Sequence, residues 1–166
     1  MTPTERDGWP IAEFDPVRRL RVLSATVPGL CLVERIIPAS FEDVWNLVSD
    51  LEYELPRLGM QFVTDLRITY RDGDELIARV HGPLGIRDDF AITMRPGWCW
   101  MEGHALSAAM AATATPDGTL FAWATRMKIP GGRLFAPLSA RTLRRTLATL
   151  EEHVLARGRS PGVPSR

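Results

Sequence analysis

Residues 30–37 form an apolar strand-like run that stops at Pro38, and a different periodicity follows. Phe41, Val44, Trp45 and Val48 fall at i, i+3, i+4 and i+7, which predicts one apolar stripe on a helix. Ser40 with Asp43 three residues on has the form of a capping box at its start. Over residues 61–128 short apolar runs alternate with the turn signals Asp72-Gly73, Gly82-Pro83, Pro96-Gly97, Gly103 and Asp117-Gly118. A spacing of about ten residues predicts an antiparallel meander of six strands, with residues 30–37 supplying a seventh. Gly131-Gly132 then breaks the chain and Pro137 suits the first turn of a helix. Ala136, Ala140, Leu143, Leu147, Leu150 and Val154 make one stripe at helical spacing, ended by Gly158. Upstream, Asp15-Pro16 is a cap followed by a favoured first helical residue, predicting a short helix over 17–23.

The run LVERIIPASFEDVWNLVSDLEYEL over 32–55, with V-W-x-L-V-S-D at 44–50, resembles the START-related superfamily often called SRPBCC. That superfamily includes polyketide cyclases/dehydrases, the birch-pollen allergen group and lipid-transfer domains. The resemblance extends through element order over about residues 30–157. It implies an α+β helix-grip fold, a curved seven-stranded antiparallel sheet wrapped around a long C-terminal helix, with a short helix after the first strand. The expected organisation is an N-terminal extension over 1–28, one domain over 29–158 and a tail over 159–166. It also implies a protein built around a cavity.

Turn positions predict which side chains face that cavity. A hairpin turning at Asp72-Gly73 pairs Leu66 with Arg79, and a four-residue loop over 82–85 pairs Arg79 with Asp88. The inner rows then read Phe62, Leu66, Ile68; Glu75, Ile77, Arg79, His81; and Ile86, Asp88, Phe90, Ile92, Met94. Beyond Pro96-Gly97 they continue with Cys99, Met101, His104, Leu106, Ala108, Met110, Ala112, Ala114, and then Phe121, Trp123, Thr125 and Met127. Small residues at 108, 112 and 114 among Phe, Trp and Met suggest a pocket for an apolar or aromatic ligand. The ligand-binding candidates are Tyr70, Phe90, Met101, His104, Met110, Phe121, Trp123 and Met127, with Phe135 as a gate after the flexible Gly131-Gly132. The catalytic candidates are Arg79, to hold a carbonyl or enolate oxygen, and Asp88 or His81, to move protons. The competing reading of Arg79 and Asp88 is a structural ion pair. Trp98 and Trp100 fall on the outer face, where Trp9, Phe14 and Leu20 of the extension would cover them. A homodimer or partner contact is the other cover.

Composition narrows the function further. Twenty basic and twenty acidic residues cancel, so net charge draws the chain neither to nucleic acid nor to anionic lipid. No run approaches the ~20 apolar residues of a membrane span, and no signal peptide core is present, so a cytoplasmic protein without stable membrane insertion is expected. Cys31 and Cys99 read as free thiols among apolar neighbours, and neither they nor the three histidines have metal-ligand spacing. Neither a metal nor a cofactor is implied. Arg141, Arg144 and Arg145 read as a solvated helix face. The expected function is a polyketide cyclase/dehydrase-like enzyme steering cyclisation, dehydration or rearrangement of an apolar intermediate. The alternative is a non-catalytic carrier or sensor of the same fold.

Overall fold

Seven segments pair into one antiparallel sheet: β1 (Cys31–Ile37), β2 (Asp65–Asp72), β3 (Glu75–His81), β4 (Arg87–Arg95), β5 (Trp98–Glu102), β6 (Leu106–Thr115) and β7 (Gly118–Met127). Their order is β1-β7-β6-β5-β4-β3-β2, so the first strand closes against the last. These elements come from a computed structural model that describes residues 15–58 and 63–158, without the side chains of Leu84, Arg133 and Phe135. Phe62, Trp9 and Phe14 lie outside the described residues.

The helices follow the expected caps. In α2 (Phe41–Val48) the Ser40 hydroxyl accepts from the Asp43 amide at 3.1 Å. Its stripe buries Val44, Trp45, Leu47 and Val48, and the ring of Phe41 stacks on Trp45 at 6.3 Å. The helix α4 (Ala136–Gly158) buries Leu143, Thr146, Leu147, Leu150 and Val154 against the inner face of the sheet. Two ion pairs fix its course, Arg35 of β1 with Glu151, and Arg157 with Glu54 of the short α3 (Glu54–Arg57). Among the described residues no helix is long and apolar enough to cross a membrane.

The extension supplies a second layer. In α1 (Pro16–Thr26), Asp15 accepts from the Val17 amide, and Thr113 of β6 donates to the same carboxylate. Val17 and Leu20 pack on the outer face with Leu30, Trp98, Ala109, Ala111, Ala122 and Ala124. Four alanines let the helix axis approach the sheet closely, and each fully buried leucine or valine contributes ~1.5–3 kcal/mol. The Arg19 guanidinium lies 4.4 Å over the Trp98 ring. Leu20 therefore packs in one cluster with Trp98, as expected of the extension.

The predicted register fails in one place and recovers. The β2–β3 loop is Gly73-Asp74, with Asp72 opposite Glu75, because Gly73 adopts φ +55° at the first loop position. That shift alone moves the pairing by two residues and preserves the faces. A bulge between Ile68 and Tyr70 then adds an odd residue, so Leu66 faces Val80 and the inner row of β3 is Leu76, Ala78 and Val80. Glu75, Ile77, Arg79 and His81 consequently point outward, as does Tyr70, which is exposed. The loop before β4 holds five residues instead of four and leaves Ile86 exposed. This second odd error cancels the first, so Asp88, Phe90, Ile92 and Met94 stand on the inner face as expected. A turn at Asp117-Gly118 would pair Ala112 with Trp123; Ala112 instead meets Phe121, a two-residue shift that changes no face.

Candidate functional site

Burial along the inner face differs from strand to strand: on β6 it holds from Leu106 to Ala112 and ends at the exposed Ala114, whereas β7 is buried at its start and half-buried at its end. Along β7, Thr119, Phe121 and Trp123 are fully buried, whereas Thr125 and Met127 are only half-buried. On β1 Ile37 (0% exposed) and Val33 (8%) are buried, Arg35 between them is exposed, and Cys31, which pairs with Thr125, is half-buried. These half-buried positions lie beside the start of α4, where Cys31 Sγ contacts the Ala136 carbonyl at 3.7 Å and Ala140 packs on the same cluster. The floor behind them is Met101, Ala108, Met110 and Trp123, with Phe121 edge-to-face to Trp123 at 6.2 Å. Phe90 and Met101 are buried on this face, as the candidates Met110, Phe121 and Trp123 are. The Phe135 side chain lies outside the described residues, while its neighbour Leu134 is 83% exposed.

Neither thiol is poised as a nucleophile. Burial raises the Cys31 pKa, outweighing the opposing pull of Arg144, and burial pushes Cys99 up to about 12.

At the same end of the sheet, where β4 begins, Asp88 and His104 form a pair. The Asp88 carboxylate accepts from the His104 amide at 2.8 Å and the Ala105 amide at 3.3 Å, and its other oxygen lies 2.7 Å from His104 Nδ1. The turn before β6 approaches so closely that a Cβ on Gly103 would sit 2.2 Å from the Phe90 ring and 2.6 Å from Asp88. Burial alone would raise the Asp88 pKa, but the hydrogen bonds from the His104 ring and the two amides, with the charge of the ring, bring it below the ordinary value. The His104 side chain is 91% exposed while that of Asp88 is 11% exposed. The pair thus presents a held imidazole, its Nε2 edge turned to solvent, at the end of an inner-face strand.

The three catalytic candidates do not converge. Arg79 pairs with Asp89 at 3.1 Å on the outer face instead of with Asp88, because the bulge in β2 turns its row outward. His81 lies on that face too, 3.6 Å from Asp65. Arg79, Arg87, Asp88, Asp89 and His104 border a shallow surface hollow of about 220 Å³, whose far side is the solvent face of β3 and β4. Tyr70 is far from any interior role, and His104 belongs to the turn before β6 rather than the inner row. Sequence reasoning missed the Asp88–His104 pair, since it joins residues across a turn that period-2 counting carries straight through. It also left Arg35 unassigned, an inner-row residue on β1 that reaches over to Glu151.

No family model matches the chain, and no curated protein matches it by sequence. Solved structures do. A Thermus thermophilus protein is 23% identical with a TM-score of 0.58, covering 79% of this chain and 99% of its own. A START superfamily protein from Mycobacterium smegmatis is 19% identical over 76% of this chain and 97% of its own, at 0.54. The fold is a START-like helix grip. The Zhui aromatase/cyclase of a Streptomyces species shares it at 12% identity, with a TM-score of 0.59 over 80% of this chain and 98% of its own. At such identities the shared property is the grip itself, with α4 held across the inner face.

Proposed function

We propose that the grip holds an apolar or aromatic small molecule between the inner face of the sheet and the first turns of α4. The observation that carries this reading is the inner row of β7, buried at Phe121 and Trp123 and half-buried at Thr125 and Met127, with Cys31 half-buried beside them. The outward turn of Arg79 and His81 supports it, because it leaves an apolar floor suited to such a molecule. Met101, Met110 and Met127 adapt to varied shapes through flexible thioether side chains. Calorimetric titration with tetralin, a bicyclic hydrocarbon, tests it: saturable binding at one site per chain is expected, and no saturable heat counts against it.

A second reading, chemistry on the bound molecule, is favoured by the Asp88–His104 pair and by the aromatase/cyclase among the proteins of like fold. Asp88 would hold Nδ1–H, leaving Nε2 to take a proton from carbon next to a carbonyl, the step that begins cyclisation or dehydration of such an intermediate. Exchange of the C2 hydrogens of 1-tetralone in deuterated buffer reads that step directly. His104→Ala is expected to slow protein-catalysed exchange by about a hundredfold or more. An unchanged rate assigns the pair to turn structure and leaves the grip a carrier.

A further inference from the structure

Trp123 stands on the inner face of β7, opposite Met110 on β6 and Val33 on β1. It is fully buried, and among the described residues its indole nitrogen is the one buried side-chain polar atom without a hydrogen-bond partner. An orphaned donor of this kind costs about 1–3 kcal/mol, and a phenylalanine would fill most of the same apolar space without that penalty. Phe121, edge-to-face beside it, supplies at most a weak π acceptor. The diagonal neighbours on β6 are Ala108 and Ala112, the smallest side chains of the face. Trp123 is also the last fully buried residue of the inner β7 row, next to the half-buried Thr125.

We infer that the Trp123 Nε1–H is the polar anchor of the ligand site and donates to an uncharged oxygen, a carbonyl or ether, of an otherwise apolar or aromatic molecule. The inference rests on the binding reading above. An uncharged oxygen is required because a single neutral donor cannot offset the burial of an anion. The charged members of the inner rows, Asp88 and Arg35, already have partners in His104 and Glu151.

The test compares 1-tetralone with tetralin, which differ in one carbonyl. Trp123→Phe is expected to weaken tetralone binding about fivefold more than tetralin binding, the worth of one neutral hydrogen bond. In the unsubstituted chain the Trp123 indole N–H resonance should move downfield with tetralone and not with tetralin, which keeps the test open should the variant fail to fold. Equal losses for both probes, or an indole resonance indifferent to the carbonyl, overturn the anchor while leaving binding intact. Failure of both probes to bind overturns the anchor and the binding reading together.

Discussion

Asp88 carries more structure than any other carboxylate at its end of the sheet. Two backbone amides and the His104 ring converge on it, and Gly103 is the residue that lets the turn come so near. Asp88→Ala removes the shared acceptor of two amides and the His104 ring at an exposed turn, where water can replace it, so a loss of about 0.5–1.5 kcal/mol is expected at neutral pH, read by urea denaturation. The pH dependence has a definite sign. A carboxyl held below its unfolded pKa contributes stability above that value, about 3.9, and loses it as pH falls through the folded value. The gap between wild type and Asp88→Ala should therefore be steady near pH 6 and shrink below about pH 4. A gap that widens on acidification contradicts the assignment. Asp88 was legible in the sequence as an inward residue, but its partner was not. Arg79 is nine residues away across a predicted hairpin, whereas His104 approaches only because β5 and β6 fold back over it.

At the scale of elements, the seven strands and the helices α1, α2 and α4 were legible because their cues are local, whereas the one-turn α3 was not. The capping serine, the 3.6-residue stripes of α2 and α4 and the Gly-containing turns all act within a few residues. Facing is different, since period-2 counting passes any single-residue error to every later position. The bulge at Thr69 is such an error and has no signature in the residues around it; the Glu52 carboxylate that accepts from the Ile68 amide comes from a distant loop. Its consequence is an outer face where Arg79–Asp89 and Arg95–Asp74 pairs meet solvent, each worth ~0–1 kcal/mol. The other half of that outer face behaves as an interior. Ala109, Ala111, Ala122 and Ala124 are 0% exposed beneath α1, so added volume there has nowhere to go. Ala111→Leu is expected to cost about 1–3 kcal/mol by pushing α1 from the sheet, read as a lower thermal midpoint with increased exposure of Trp98. A variant as stable as the wild type would mean that α1 is not packed as described.

Taken whole, the molecule sorts its two faces by different means. The outer face is closed by the chain's own first helix and, beyond it, by ion pairs in water. The inner face is closed by α4 along most of its length and relaxes where β1 and β7 end beside Ala136. The fold and the half-buried end of β7 together support a container for an apolar molecule, while the exposed His104 edge, set on an anchored carboxylate, is the place where chemistry would enter. The most direct measurement is a methyl NMR titration with tetralin. Saturable shifts confined to inner-face methyls, at Ala108, Met110, Met127 and Ala140, with Ala109 and Ala111 unmoved, are the predicted result. Shifts confined to the outer-face alanines, or none that saturate, would contradict the account.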